Sequence, residues 1–289
     1  MTITNGLTLG LKLGIVGVLG DDGDEEEGDA GGEEGGDGGD SGLTLDGIEE
    51  STCFDCDVTL PEGYTGTTLF NKVTSPNDGA SQSDYDLTAS NMTLSGDTGT
   101  SAATLTHSGT GYLQILNPTG QFINHIARSG TSGWLAMAWK TNDSTGNLFL
   151  FDTRNTVTDT SLGLAIRKRG SEEFQFIIQN SGGIVQSATT TNIMPLDTRT
   201  LSIVSWNGTN TRFWINDTPA AEVENLTFWT DTTTSCNEAF NVLQSYVGTN
   251  RGDATTELIG VYGGNAFLDN TSAGNIAEFL GTRHEEIYF

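Results

Sequence analysis

The sequence predicts an all-β protein built as an antiparallel β-sandwich, and three observations carry that prediction. Thr occurs 43 times and Gly 38 times against five Pro; β-branched side chains pack well on a pleated surface, and Gly serves the turns between strands. Short segments alternating with a period of two recur along the chain, separated by polar turns, as in a sandwich rather than a parallel α/β sheet. Finally, Leu201, Ile203 and Ser205 alternate with Ser202, Val204 and Trp206, a polar Asn207-Gly208-Thr209-Asn210 turn follows, and Thr211–Ile215 alternates again. An alternation broken by Asn-Gly is a strong hairpin signal. No apolar stripe of helical period and useful length is apparent.

In chain order, residues 1–20 read as an N-terminal extended strand anchor. Leu7, Leu9, Leu11, Leu13 and Ile15 alternate with Thr8, Gly10, Lys12 and Gly14. The segment lacks the basic start and continuous apolar core of a signal peptide, and it is not a run of about 20 apolar residues, so it is not expected to span a bilayer. One apolar face calls for a partner sheet or groove; the alternative is an edge strand of its own sandwich. Residues 21–50 form an acidic Gly-rich linker, whose positions 21–40 hold 11 acids, 8 Gly, one Ala and no base. Such a run cannot bury enough apolar surface to offset its ordering entropy and reads as a solvated tether, with a cation contact as the rival reading.

Residues 51–85 are lead strands or a neck, with short strands at Val58-Thr59-Leu60 and Thr67–Phe70. Residues 86–289 form the sandwich proper. Strands are expected near 101–106, 111–116, 133–140, 146–152, 161–168, 173–179, 184–189, 199–206, 211–216, 257–263 and 274–281. The three cysteines, Cys53, Cys56 and Cys236, are too few for a two-pair zinc site and imply free thiols or one bridge. The formal charge is −26, of which −15 lies outside residues 21–40, with only 12 Lys and Arg in the chain. That balance opposes nucleic-acid binding, whose affinity comes from basic side chains on phosphate.

The hairpin resembles the late hairpin of the laminin-G-like, concanavalin-A-type jelly rolls, a strand, a W-x-G-T turn and a strand ending in Y-x-N-G. The matching positions are Trp206, Gly208, Thr209, Trp214 and Asn216, with Asp217 where that family usually has Gly. Gly111–Ile115, Gly133–Trp139 and Gly146–Phe151 resemble earlier strands of the same family. Asn275–Phe279, followed by Glu285-Glu286-Ile287, resembles its closing strand. The likeness covers residues 85–289 and implies a concanavalin-A/laminin-G-like jelly roll with sugar-binding loops.

Glycoside hydrolases of this jelly roll carry a Glu-x-Asp-x-x-Glu strand, because retaining hydrolysis needs two carboxyl groups about 5 Å apart. The sequence does not contain it. Glu222-Val223-Glu224 has the spacing but lies in a polar connection, and Glu172-Glu173 and Glu285-Glu286 are adjacent, pointing apart in a strand. The chain is therefore read as no enzyme. Gly39-Asp40-Ser41-Gly42 mimics a serine-nucleophile context, yet the tether offers no rigid turn or oxyanion hole. His107, His125 and His284 show no metal or triad spacing.

Calcium is the ion the resemblance raises; Asp143, Asp152, Asp217 and Asp231 are loop acids, but their spacing singles out no set. For glycans, stacking aromatics beside Asn and Asp are expected. Phe228-Trp229 beside Asp231, with Tyr246, Asn250 and Tyr262 behind, is the expected set; the competing reading packs Trp229 in the core like Trp134, Trp139 and Trp206.

A strand anchor, a flexible tether and a distal lectin-like domain resemble the architecture of accessory proteins of virus particles, tailed phages above all. The expectation is a non-catalytic fibre or decoration protein at the virion surface. It would be homo-oligomeric, held to a capsid or tail protein through residues 1–20 and directed at host-surface glycans. The rivals are an extracellular glycan-active enzyme of the same fold and a cellular adhesion module.

Overall fold

A computed structural model describes residues 44–284 apart from 109, 117–121, 126–129, 143–146, 155–162, 171–172, 180–184, 190–195, 224–238 and 245–254. The anchor residues Leu7, Leu9, Leu11, Leu13 and Ile15 and the run at 21–40 lie outside the described residues.

In chain order the strands are β1 (Thr52–Asp57), β2 (Thr68–Leu69), β3 (Leu87–Ser90), β4 (Thr93–Ser95), β5 (Thr104–Ser108), β6 (Tyr112–Ile115), β7 (Gly133–Thr141) and β8 (Leu148–Asp152). They continue with β9 (Gly163–Lys168), β10 (Phe174–Gln179), β11 (Val185–Thr189), β12 (Thr200–Trp206), β13 (Thr211–Ile215), β14 (Thr218–Val223), β15 (Phe240–Val242) and β16 (Thr255–Gly264), and one helix comes after them, α1 (Asn270–Arg283). They form two antiparallel sheets, the sandwich that the alternation predicts. One runs β14-β13-β12-β7-β16-β5-β4, with β1 also paired to β16; the other runs β11-β10-β9-β8-β15-β6-β3-β2.

Strand β16 is the hub of the first sheet. Its first half pairs with β5 and its second half with β1, while β7 runs along its other side. Alternation sorts the side chains of β7: Leu135, Met137 and Trp139 enter the space between the sheets, and Trp134, Ala136 and Ala138 face outward. Two groups of aromatic contacts complete the inner core: Phe54 and Phe151 on Phe240, with Phe151 stacked on it at 5.7 Å, and Trp206 and Phe213 on Phe176, with Phe213 edge-on to it at 5.8 Å. The hairpin of β12 and β13 closes through residues 207–210. Asn207 Oδ1 accepts from Thr209 N and Asn210 N, and Gly208 takes φ +83°.

The outward face of the first sheet is covered by α1, and this overturns the expected strand at 274–281. Ala273, Ile276, Ala277 and Leu280 recur at i, i+3, i+4 and i+7, a helical stripe, and they pack on Trp134, Ile203, Trp214 and Ile259. Asp269 caps the helix by accepting from Ser272 N at 2.8 Å. The Asn275–Phe279 match to the closing strand of the laminin-G-like family is thus a match to helical residues.

Other departures have local causes. Val58-Thr59-Leu60 is a turn, because Asp57 Oδ1 accepts from both the Thr59 N–H and its hydroxyl. Strand β14 escaped notice because Pro219 argues against a strand interior; it is an edge strand with a register shift, where Pro is tolerated. Cys53 and Cys56 are buried free thiols, and burial with the nearby Asp78 carboxylate pushes Cys53 up to about 12. Cys236 lies outside the described residues.

Candidate functional site

Strand β1 leaves the sheet at Asp57, and the chain then doubles back through Gly63, Tyr64 and β2 to Asn71. Gly63 is required at the crossing: a Cβ there would stand 2.1 Å from Asp57 O. The buried Asn71 side chain organises the segments around it. Its Oδ1 accepts from Asp55 N at 2.9 Å and Val73 N at 3.0 Å, and its Nδ2 donates to Cys53 O and Gln82 O at 3.3 and 3.2 Å. Its own N–H donates to Asp86 Oδ1 at 2.8 Å, and its carbonyl accepts from Gln82 Nε2 at 2.7 Å. One residue therefore ties β1, the turn at 71–73 and the segment 82–86 into a single frame.

That frame walls an open groove of about 810 Å³. Phe70, half-buried, and Tyr64, whose hydroxyl donates to Gly66 O at 2.6 Å, give it an apolar side. Lys72, Gln82, Ser83 and Asp86 give it a polar side. Burial raises the Asp86 carboxyl above its ordinary value, opposed by the Asn71 N–H and by Lys72. A groove lined by both aromatic and polar side chains can stack the C–H face of a ring while bonding its polar substituents.

A second concentration of ionisable groups is largely buried. Asp57 Oδ2 meets His284 Nε2 at 2.7 Å, the Tyr262 hydroxyl at 2.8 Å and Arg283 Nη1 at 3.2 Å. Arg283 also forks onto Asp55, with both contacts at 2.8 Å, and Asp55 accepts from Leu45 N at 2.9 Å. Asp55, Asp57 and His284 side chains are 0 % exposed and Arg283 is 9 % exposed. Burial alone would raise the Asp57 carboxyl, but the hydrogen-bonded His284 and Arg283 hold it well below the usual carboxylate range. Nearly closed to solvent among the described residues, this network ties the end of α1 to β1 and works as a structural lock.

Of the expected sugar contacts, Trp229, Asp231, Tyr246 and Asn250 lie outside the described residues. Tyr262 does not serve: it is fully buried under α1 and its hydroxyl is committed to Asp57, so it presents no face to a ligand. Among the expected calcium acids, Asp152 is buried in a two-pronged pair with Arg154, Asp217 accepts from Thr218 Oγ1, and Asp143 and Asp231 lie outside the described residues. Among the described residues no group of three or more His, Cys, Asp or Glu is placed to hold a metal, and no helix is long and apolar enough to cross a membrane. The groove residues escaped sequence reasoning because they come from a segment of mixed composition with no repeated pattern. The available signal is the pair of aromatics Tyr64 and Phe70 between two turn signals, Pro61-Glu62-Gly63 and Pro76-Asn77-Asp78-Gly79.

No protein-family model matches the sequence, and no curated protein matches it. Solved structures do match. The binding domain of Paraclostridial Mosquitocidal Protein 1 superposes with a TM-score of 0.57 at 10% identity, over 80% of this chain and 52% of that one. A botulinum neurotoxin type C structure, described by cell entry dependent upon interaction with two ganglioside molecules, gives 0.58 at 12% identity, over 82% and 53%. A Trypanosoma rangeli sialidase mutant displaying trans-sialidase activity gives 0.57 at 11% identity, over 82% of this chain and 34% of that one. The chain thus spans about half the length of the two toxin structures and a third of the sialidase. At these identities the likeness shows a shared β-sandwich fold.

Proposed function

We propose that the sandwich is a glycan-binding module, non-catalytic, that recognises sugars on a host surface. The observation that carries this reading is the groove, about 810 Å³ and open to solvent, whose lining combines Phe70 and Tyr64 with Asp86, Gln82 and Lys72. Support also comes from the company the fold keeps, a toxin binding domain, a neurotoxin structure described by interaction with ganglioside molecules and a sialidase mutant, which favours glycan recognition in general and leaves the charge class of the sugar to the lining of the groove. On this reading Trp229, Asp231, Tyr246 and Asn250, outside the described residues, are a second proposed set of sugar contacts. The module is further proposed to sit at a virion surface as a homo-oligomer, held to a capsid or tail protein through residues 1–20, whose alternating Leu7–Ile15 face calls for a partner sheet.

The test is a glycan array and host-cell binding with the wild type, Phe70→Ala and Trp229→Ala. Loss of the stacking face should weaken binding about tenfold, the effect of removing a central aromatic from a small site, while the melting temperature stays within a few degrees. Binding unaffected by both substitutions would remove both proposed sites, and sugar release by the wild type would favour the enzyme reading. Deleting residues 1–20 should abolish incorporation into particles, and full incorporation of the truncated protein would exclude the anchor.

A further inference from the structure

We infer that the groove takes uncharged sugars and rejects glycans ending in a carboxylate or sulfate. The inference rests on the glycan-binding reading and adds to it the charge class of the ligand. Among the described residues lining the groove, the charged ones are Glu62, Lys72 and Asp86, so the acids outnumber the base. An anionic sugar needs a cation free to pair with it, and Arg is the residue best shaped for a carboxylate. No Arg lines the groove among the described residues, and Lys72, the one base lining it there, donates to Glu62 O at 3.1 Å and shares the lining with the Glu62 and Asp86 carboxylates.

Asp86 is the deciding group. One of its oxygens accepts from Asn71 N at 2.8 Å, which fixes the carboxylate at the groove wall. Its second oxygen accepts no hydrogen bond from a described residue, which leaves an acceptor for ligand hydroxyls, and a carboxylate is an acceptor only. Sugar hydroxyls satisfy it by donating. A sialic acid carboxylate or a sulfate has no donor to offer and meets like charge in a half-buried site. The wider charge acts in the same sense, because the chain outside residues 21–40 still carries −15, and like charge slows encounter and disfavours the bound state.

Paired titrations of the full chain test this with N-acetyllactosamine-type oligosaccharides and the same oligosaccharides bearing a terminal sialic acid, at two ionic strengths. The neutral form should bind at least about tenfold more tightly, with little dependence on salt, whereas the sialylated form should gain affinity as salt screens the repulsion. Asp86→Asn keeps an acceptor oxygen for the Asn71 N–H and removes the charge. It should weaken neutral binding and narrow the gap between the two ligands. Equal affinity for the pair, or preference for the sialylated member, overturns the charge inference while leaving glycan binding standing. Absence of binding to every member of a broad neutral and anionic panel overturns both. A sialylated ligand whose affinity falls with salt would also overturn it, since that behaviour requires an attracting cation in the site.

Discussion

Replacing Arg283 by Met strips the buried lock of its cation and leaves Asp55 with one N–H partner, from Leu45, at a side-chain exposure of 0 %. Removing one member of a buried charge pair is strongly destabilising, about 3–5 kcal/mol, because the remaining charge stays desolvated without compensation. For a domain of roughly 150–250 residues each kcal/mol moves the melting temperature by about 2–4 °C, so a fall of about 6–20 °C is expected. Differential scanning calorimetry with circular dichroism measures it. Because α1 carries Arg283 and covers Trp134 and Trp214, whose indoles donate to Ser51 Oγ and Asn270 Oδ1, their fluorescence should move to longer wavelength before the interior Trp139 and Trp206 are exposed. The double variant with Asp55→Asn should be more stable than the single one, since the orphaned charge is then gone. A fall under about 2 °C for Arg283→Met would refute the assignment of the network as a lock.

The remaining predictions concern pH, the groove frame and the turn. Asp57 is held below the ordinary carboxylate range by His284 and Arg283, so its contribution is fully present above the unfolded value of about 4 and is lost as pH falls through the folded value. Urea midpoints should therefore decline on acidification below about pH 4, and the decline should be shallower in Asp57→Asn; identical acid profiles would remove Asp57 as a cause. Asn71→Ala orphans the N–H groups of Asp55 and Val73 and the Cys53 and Gln82 carbonyls, and should lower stability by about 2–3 kcal/mol and abolish groove binding, read by chemical denaturation and titration. Gly63→Ala forces a methyl to within 2.1 Å of a backbone oxygen and should destabilise by about 1–3 kcal/mol; a neutral result would mean the crossing relaxes freely.

Much of the sandwich was legible in the chain because a strand's side-chain period is two and needs no partner to be seen. The alternations at 133–140, 199–206 and 211–216 lie within a residue or two of β7, β12 and β13, and the Asn207–Asn210 turn falls where its own side chain caps it. The short strands β3, β4 and β15, of three or four residues, give too few alternations to be distinguished from loops. Helix α1 was misjudged for a different reason. Its apolar stripe includes two alanines, so little hydrophobic contrast separates it from the Thr-rich and Gly-rich sequence around it, and a likeness to a closing strand filled the gap. Only the burial of Trp134, Ile203 and Trp214 on the outward face of the sheet demands a covering layer. The same holds for the buried lock and the candidate groove. Asp55 and Asp57 meet Arg283 and His284 across more than 220 positions of sequence, and Tyr64, Phe70, Lys72 and Asp86 share a groove because Asn71 binds three separate segments at once. Residue type and period determine which local element forms and which face is apolar, whereas the company a side chain keeps depends on closure of the chain through distant hydrogen bonds, which no local pattern encodes.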